Sequence, residues 1–367
     1  MNKKIAIIFA YTANNLGDDL FVMQLCRRYP NETFYIAEIK EKNKTLENIN
    51  NLVFSPEMKK FDNELSNTVL SNDIKAFYSQ FDACVMIGGS IFMQQASSNW
   101  WRPVRHNINR IELSKKLFVI GANFGPFTDG SYLRKYTDMF AEVEDICFRD
   151  TDSLAYFPEL KNIRYAPDVI FTLPPNVQES KNQVFISLID CGWKGRPETQ
   201  RQRLGAYKEA YISKLVELCS YLRRRGYTLC LSSFCKHQGD EATLDQVLSR
   251  CQLNGITDIN ICKYDGDVDI VLEELAKSKY IIATRFHAMI LGWLYGKPTL
   301  PVIYDNKQKA VIRDLGFKGD SCLIEDFVNK NDDEILQALE CYKGFDCFEV
   351  IKSAERQFEA LDNYLKG

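Results

Sequence analysis

A chain of 367 residues is long for a single hydrophobic core, so two domains are expected. With 46% hydrophobic and 12% aromatic residues the composition suits packed globular domains, and a net charge of −3 argues against a nucleic-acid partner. The twelve cysteines are scattered and form no CxxC pair, which excludes the usual zinc patterns and fits reduced thiols better than a disulfide framework.

Residues 4–11 predict a first strand, with an apolar core too short for a signal peptide. No run approaches the ~20 apolar residues of a membrane helix. A polar turn over residues 12–19 leads into a helix through about Tyr29, with Asp18 and Asp19 where N-caps belong. Residues 33–39 read as a second strand. Residues 40–80, rich in Asn, Lys and Glu, give no assignable arrangement.

Three apolar strands follow, and each ends in a turn of glycine, asparagine or arginine. Residues 81–87 run into Gly88-Gly89-Ser90. Residues 117–120 run into Gly121-Ala122-Asn123-Phe124-Gly125-Pro126. Residues 145–148 run into Arg149-Asp150, with Thr151 as the predicted N-cap. Helical patterns between the strands argue for a parallel sheet whose carboxyl edge carries function. Pro167, Pro174 and Pro175 mark a linker over residues 166–182.

A second alternating set then begins. Strands are predicted at residues 184–188, 228–233, 258–264, 281–283 and 299–304. Helices are predicted at residues 205–225, capped by Gly226, and at 242–251, 268–277, 308–315, 332–341 and 348–365. A further helix starts at Phe286 or His287. The expected fold is α/β, with two Rossmann-like doubly wound domains facing a cleft. Their expected bounds are residues 1–175 on the acceptor side and 182–345 on the donor side, and residues 346–367 pack back across the domains.

The element around Thr284-Arg285-Phe286-His287 places a guanidinium and an imidazole at the carboxyl end of a buried strand. In open α/β sheets ligands sit in that crevice, and a helix N-terminus there favours anions. Of the three histidines, His106 lies in a polar stretch and His237 in a charged loop, so His287 is the candidate for proton transfer. Arg149, closing an apolar strand, is a second anion contact or else an ion-pair partner of Asp150 or Asp152. Lys307 and Lys309 project from the same edge as Arg285, unless they simply start a solvated helix. Gly88-Gly89-Ser90 is neither a Walker A loop nor GxGxxG, but suits a close backbone approach by a ligand. Trp100 and Trp101 form either a sugar-stacking platform or a cap over the core. HExxH, paired-carboxylate and GxSxG motifs are absent, and no metal site is expected.

Taken in order, Asn15-Leu16-Gly17-Asp18, Ile87-Gly88-Gly89-Ser90, Gly121 to Pro126, Arg149-Asp150-Thr151-Asp152-Ser153, Pro167-Asp168, Arg285-Phe286-His287 and the Tyr304 to Lys307 spacing near Gly316 resemble the polysaccharide pyruvyltransferase family. The resemblance runs to about Phe317. It departs from many members at Ser90, where they carry a third glycine. It implies the B-type glycosyltransferase fold, phosphoenolpyruvate as co-substrate, no cofactor and no metal requirement. The implied reaction moves the enolpyruvyl group of phosphoenolpyruvate onto two hydroxyls of a sugar or lipid-linked oligosaccharide, forming a ketal and releasing phosphate, in surface or capsular polysaccharide assembly. His287 and Arg285 would be catalytic, with Arg149, Arg285, His287 and Lys307 binding the donor. Asn15, Asp18, Gly88, Gly89, Asn123 and Trp100 are the acceptor-side candidates. A cytoplasmic enzyme at the inner membrane face fits this role, with peripheral membrane contact allowed. The competing readings are a B-type glycosyltransferase using a nucleotide sugar and a non-catalytic protein that binds a phosphorylated metabolite.

Overall fold

The computed structural model describes residues 2–39, 41–94, 101–342 and 344–367. The chain forms two compact units. Unit 1 consists of Met1–Thr12, Asp18–Thr172 and Ile351–Gly367; unit 2 consists of Ala13–Gly17 and Leu173–Val350. A short stretch from near the N-terminus therefore belongs with unit 2, and the C-terminal segment belongs with unit 1. Both sheets are parallel and α/β, as the alternating pattern predicts.

Unit 1 holds strands β1 (Lys4–Phe9), β2 (Thr33–Ala37), β3 (Leu52–Ser55), β4 (Ala83–Ile87), β5 (Leu117–Ala122), β6 (Asp145–Phe148) and β7 (Ile163–Tyr165). They pair in the order β3-β2-β1-β4-β5-β6-β7, with every pairing parallel. β4, β5 and β6 are buried along their whole length, which is why they read as continuous apolar runs. The order reverses between β1 and β4, and a doubly wound sheet opens a crevice at that switch point. Asp18 follows β1, and Gly88 and Gly89 follow β4.

Unit 2 holds β8 (Lys181–Ser187), β9 (Thr228–Ser233), β10 (Asn260–Lys263), β11 (Ser278–Ala283), β12 (Thr299–Ile303) and β13 (Cys322–Leu323). Their order is β10-β9-β8-β11-β12-β13, again all parallel. Here the reversal falls between β8 and β11, so Arg285, just beyond β11, stands at the switch point of the second sheet.

The unread residues 40–80 supply β3 and three short helices, Lys44–Glu47, Pro56–Asp62 and Asn72–Tyr78. The helix expected over 205–225 is found at Lys208–Arg224, with an unpredicted helix, Glu198–Gly205, ahead of it, and Gly226 takes the left-handed conformation (φ +86°) that ends the expected one. The closing helix is broken, into Phe348–Ala354 and Glu359–Lys366 around a 3-10 turn at Glu355–Phe358. That turn sends Gln357 into the core of unit 1, where its amide accepts from Gly121 N at 2.9 Å and donates to the carbonyls of Ala166 and Pro167 at 2.7 and 3.0 Å. One side chain thus pins β5 to the segment entering Asp168. Among the described residues no helix is long and apolar enough to cross a membrane.

Candidate functional site

In unit 2 the buried strand β11 ends at Ala283, and Arg285 is the N-cap of helix Phe286–Leu294. Its backbone N–H donates to Ser187 Oγ on β8 at 3.1 Å, which joins the two strands that flank the switch point. The side chain turns inward. Nε donates to Asp240 Oδ2 at 2.6 Å, Nη2 to Asp240 Oδ1, and Nη1 to Gln238 at 2.6 Å. Burial works against the charge on Arg285, but Asp240 outweighs it and holds the guanidinium pKa above its ordinary value. Arg285 is therefore strapped to a fully buried carboxylate, using three of the five N–H bonds a guanidinium carries.

Asp240 does more than neutralise Arg285. Its Oδ2 also accepts the backbone N–H groups of Phe234 and Cys235, at 3.2 and 3.0 Å, and so fixes the loop beyond β9. The Ala13–Gly17 segment docks on that loop: Leu16 N donates to Phe234 O at 3.1 Å, and Asn15 forms an antiparallel bridge with Cys235. Asn15 Oδ1 in turn accepts the N–H of Gly17 at 3.3 Å. A Cβ placed on Gly17 would lie 1.6 Å from His287 Nδ1, so the half-buried imidazole rests directly on glycine backbone. These contacts close a ring from Arg285 through Asp240, the β9 loop and Gly17 to His287. Phe286 completes the seat, edge-on to the imidazole at 5.1 Å between ring centroids.

Lys307 lies in helix Asn306–Asp314, with Nζ 5.9 Å from the centre of the Phe286 ring. That helix is capped by a box in which Asp305 accepts from Lys307 N and Gln308 reaches back to the Asp305 N–H. Gln308 also donates to Thr284 O at 3.1 Å, which ties the β12 turn to the β11 turn. Burial raises the Asp305 carboxyl pKa, but Lys307 and the hydrogen bonds from Lys307 N and Gln200 outweigh it, leaving the group below its ordinary value.

Unit 1 gathers residues of five of the motifs into one cluster. Arg149 follows β6 and donates from Nη1 to Asp168 Oδ2 at 2.8 Å and from Nη2 to Asn123 Oδ1 at 3.0 Å. Its guanidinium lies against Gly89, where a Cβ would fall 2.1 Å from Nη2. Asn123 N donates to Gly89 O at 2.8 Å. Gly88 adopts φ +142°, a conformation side chains rarely take, and Asp18 Oδ1 sits 3.3 Å from where its Cβ would be. Asp18, Gly88, Gly89, Asn123 and Arg149 are thus neighbours. Asn15 belongs with unit 2, and Trp100 lies outside the described residues.

Several local expectations are corrected. Arg149 pairs with Asp168, not with Asp150 or Asp152, because the turn after β6 carries those carboxylates into the next helix. There Asp150, rather than Thr151, is the N-cap, accepting from Ser153 N at 2.7 Å. The first helix begins at Leu16, so Asp18 and Asp19 lie in its first turn instead of capping it. Asp19 is buried and accepts from Asn43 at 2.8 Å. Asp240, Gln238 and Arg196 escaped the sequence reading. Asp240 had a signal, an acid directly after a glycine at a helix start. Among the described residues no group of three or more His, Cys, Asp or Glu side chains could hold a metal ion.

Residues 15–306 match the family described as polysaccharide pyruvyl transferase, well over half the sequence. The chain belongs to that family. It is similar to the amylovoran biosynthesis protein AmsJ of Erwinia amylovora, 20% identical over a 260-residue alignment that covers 65% of this chain and 60% of AmsJ. The chain therefore spans under two thirds of that relative's length. Among solved structures it is similar to the UDP-GlcNAc 2-epimerase of Neisseria meningitidis (TM-score 0.60, 8% identity, 99% of this chain and 100% of that one). The UDP-GlcNAc 2-epimerase of Methanocaldococcus jannaschii is similar too (TM-score 0.57, 12% identity, 98% and 99%). At such identities these likenesses concern the fold, and they bear out the two-sheet α/β class.

Proposed function

We propose that this family member is a ketal pyruvyltransferase that takes phosphoenolpyruvate as donor and a sugar of a surface polysaccharide, free or lipid-linked, as acceptor. The observation that carries the reading is the seating of His287. An imidazole rests on Gly17 at the carboxyl edge of the second sheet, beside an arginine whose own charge is compensated by Asp240. That arrangement presents an imidazole, the side chain most often used for proton transfer.

In the proposed reaction His287 protonates the methylene carbon of phosphoenolpyruvate, and positive charge develops at C2. A sugar hydroxyl attacks C2, the C2–O bond to phosphate breaks, and a second hydroxyl closes the ketal ring. Of the two hydroxyl protons lost, one makes up for the proton placed on carbon and the other leaves with phosphate. Arg285 and Lys307 supply positive charge as the phosphate departs. The same reading assigns Arg149 a donor contact, and Asp18, Asn15, Gly88, Gly89, Asn123 and Trp100 acceptor contacts. It places the work at the cytoplasmic membrane face and calls on no further cofactor.

The test is incubation with phosphoenolpyruvate and a panel of galactosides and N-acetylhexosaminides. Phosphate release with an acid-labile mass gain on one sugar is expected. His287→Gln should lower the rate about 10²–10⁴-fold while phosphoenolpyruvate still raises the melting temperature. Near-normal turnover by that variant would remove His287 as the acid. Stabilisation and glycosyl transfer by a nucleotide sugar instead would replace the reading altogether.

A further inference from the structure

Arg110, Arg149, Arg196 and Arg285 are the buried arginines among the described residues. Arg110 has Asp62 at 3.4 Å, Arg149 has Asp168 at 2.8 Å, and Arg285 has Asp240. Arg196 is 5% exposed and has no carboxylate within ion-pair distance among the described residues. The guanidinium's one hydrogen bond among the described residues runs from Nη1 to the carbonyl oxygen of Asp190, at 2.5 Å. The rings of Trp193 and Tyr304 both lie against the guanidinium, with centroids 5.5 and 5.4 Å from Cζ. Such cation–π contacts fix a guanidinium without neutralising it.

Asp190 and Asp305 attract Arg196 from a distance, but each makes its direct contacts with other groups. Asp190 accepts from Gly192 N at 2.8 Å and faces Lys208 Nζ at 3.2 Å. Asp305 accepts from Lys307 N and from Gln200. Burial lowers the proton affinity of Arg196 and the like charge of Arg285 adds to the lowering, while Tyr304, Cys191 and Asp190 oppose it without cancelling it. The residue stands on the loop beyond β8, and Tyr304 on the turn beyond β12. These turns flank the β11 turn that carries Arg285.

A buried positive charge is costly unless something pairs with it. We propose that Arg196 is an anion-binding residue whose partner is a phosphoryl group, held by the planar fork of the guanidinium that Trp193 and Tyr304 fix in place. Nη2, Nε and the second N–H of Nη1 remain for a bidentate grip, the geometry that suits phosphate oxygens. This deepens the pyruvyltransferase reading and rests on it for one point only, that the phosphoryl group is the donor's and the released phosphate binds the same residue.

The experiment titrates the full-length protein, Arg196→Met and Arg196→Lys with inorganic phosphate and with phosphoenolpyruvate, following melting temperature, and then measures transfer. In anion-free buffer Arg196→Met should melt at or above the wild-type temperature, since it removes a buried charge that has no direct ion-pair partner among the described residues; a lower value would mark the arginine as a packing element and overturn the proposal. Phosphate should raise the melting temperature of wild type, not that of Arg196→Met, with partial recovery in Arg196→Lys. KM for phosphoenolpyruvate should rise about 10–100-fold in Arg196→Met, the worth of one or two charge-assisted contacts, with kcat changed less. Absence of phosphate stabilisation in wild type overturns the proposal. If transfer runs with wild-type KM in Arg196→Met, the proposal falls and the pyruvyltransferase reading stands. If Arg196 governs phosphate binding while no sugar is pyruvylated, the proposal stands and that reading falls.

Discussion

Each sheet ends a buried strand in an arginine at its carboxyl edge, and beside each switch point a glycine makes room for a nitrogen-bearing side chain. The two units use this device differently. In unit 1 the arginine itself lies on the glycine: Arg149 presses on Gly89 and is matched by Asp168, which is wholly buried. In unit 2 the arginine is one layer behind. Arg285 is strapped to Asp240, Asp240 fixes the β9 loop, and the side chain lying on Gly17 is His287. The contrast shows that a strand-end arginine need not be a ligand grip merely because it stands at the ligand crevice. In unit 2 it also serves as the frame for its neighbour.

The largest effects should come from the frames themselves. Asp168→Ala and Asp240→Ala each leave a buried guanidinium without its counter-charge, and each should cost about 3–5 kcal/mol in urea denaturation. A loss under about 1 kcal/mol at either position would mean that the ion pair does not hold the arginine. A sharper separation comes from the two glycines. Gly17→Ala drives the imidazole from its seat and should lower phosphate release about 10²-fold with little loss of stability, if His287 is the acid. Gly89→Ala crowds a buried ion pair and should instead cost about 1–3 kcal/mol of stability. Equal behaviour of the two variants would erase the distinction drawn between the units.

The smallest effect concerns two aspartates that each cap the helix after a strand, Asp150 in unit 1 and Asp305 in unit 2. Burial pushes the Asp150 carboxyl above its ordinary value, against the hydrogen bonds from Ser153 and the attraction of Arg149. Asp305 is held below its ordinary value. The signs follow by linkage. Protonating Asp150 favours the folded state, so its contribution is full below the unfolded-state value of about 3.9 and fades as pH rises through the folded value. Asp305 contributes above about 3.9 and is lost as pH falls below that. Asp305→Asn, which keeps the cap, should flatten the acid limb of the stability profile, whereas Asp150→Asn should steepen it. Parallel profiles would show that the lysine beside Asp305 does not set its charge.

Much of the scaffold was legible because burial on both faces leaves an unmistakable apolar run. β4, β5, β6 and β11 are such strands, and the residues that end them are the ones found at the sheet edges. β3, β7 and β13 were not legible. They are edge strands of two to four residues, too short to establish a period. At the candidate site, the sequence could mark Arg285 and His287 by their place after β11, but not what holds them. Asp240 reads as an ordinary first-turn acid, and Gly17 as part of a short motif whose reason lies at the far end of the chain. Arg196 is harder still: what distinguishes it is the lack of an ion-pair partner among the described residues, and that is a property of space, not of spacing.

The Ala13–Gly17 segment has a consequence for how the molecule can be divided. Unit 2 takes a short piece from ahead of nearly all of unit 1, and unit 1 takes its last piece, with Gln357, from beyond unit 2. A single cut near Thr172 would give two fragments, each lacking something the other carries. The C-terminal fragment would keep His287 but lose the glycine it rests on; the N-terminal one would keep Asp168 but lose the amide that pins its approach. During synthesis the histidine's seat is made early and waits for most of the chain to emerge before it is occupied.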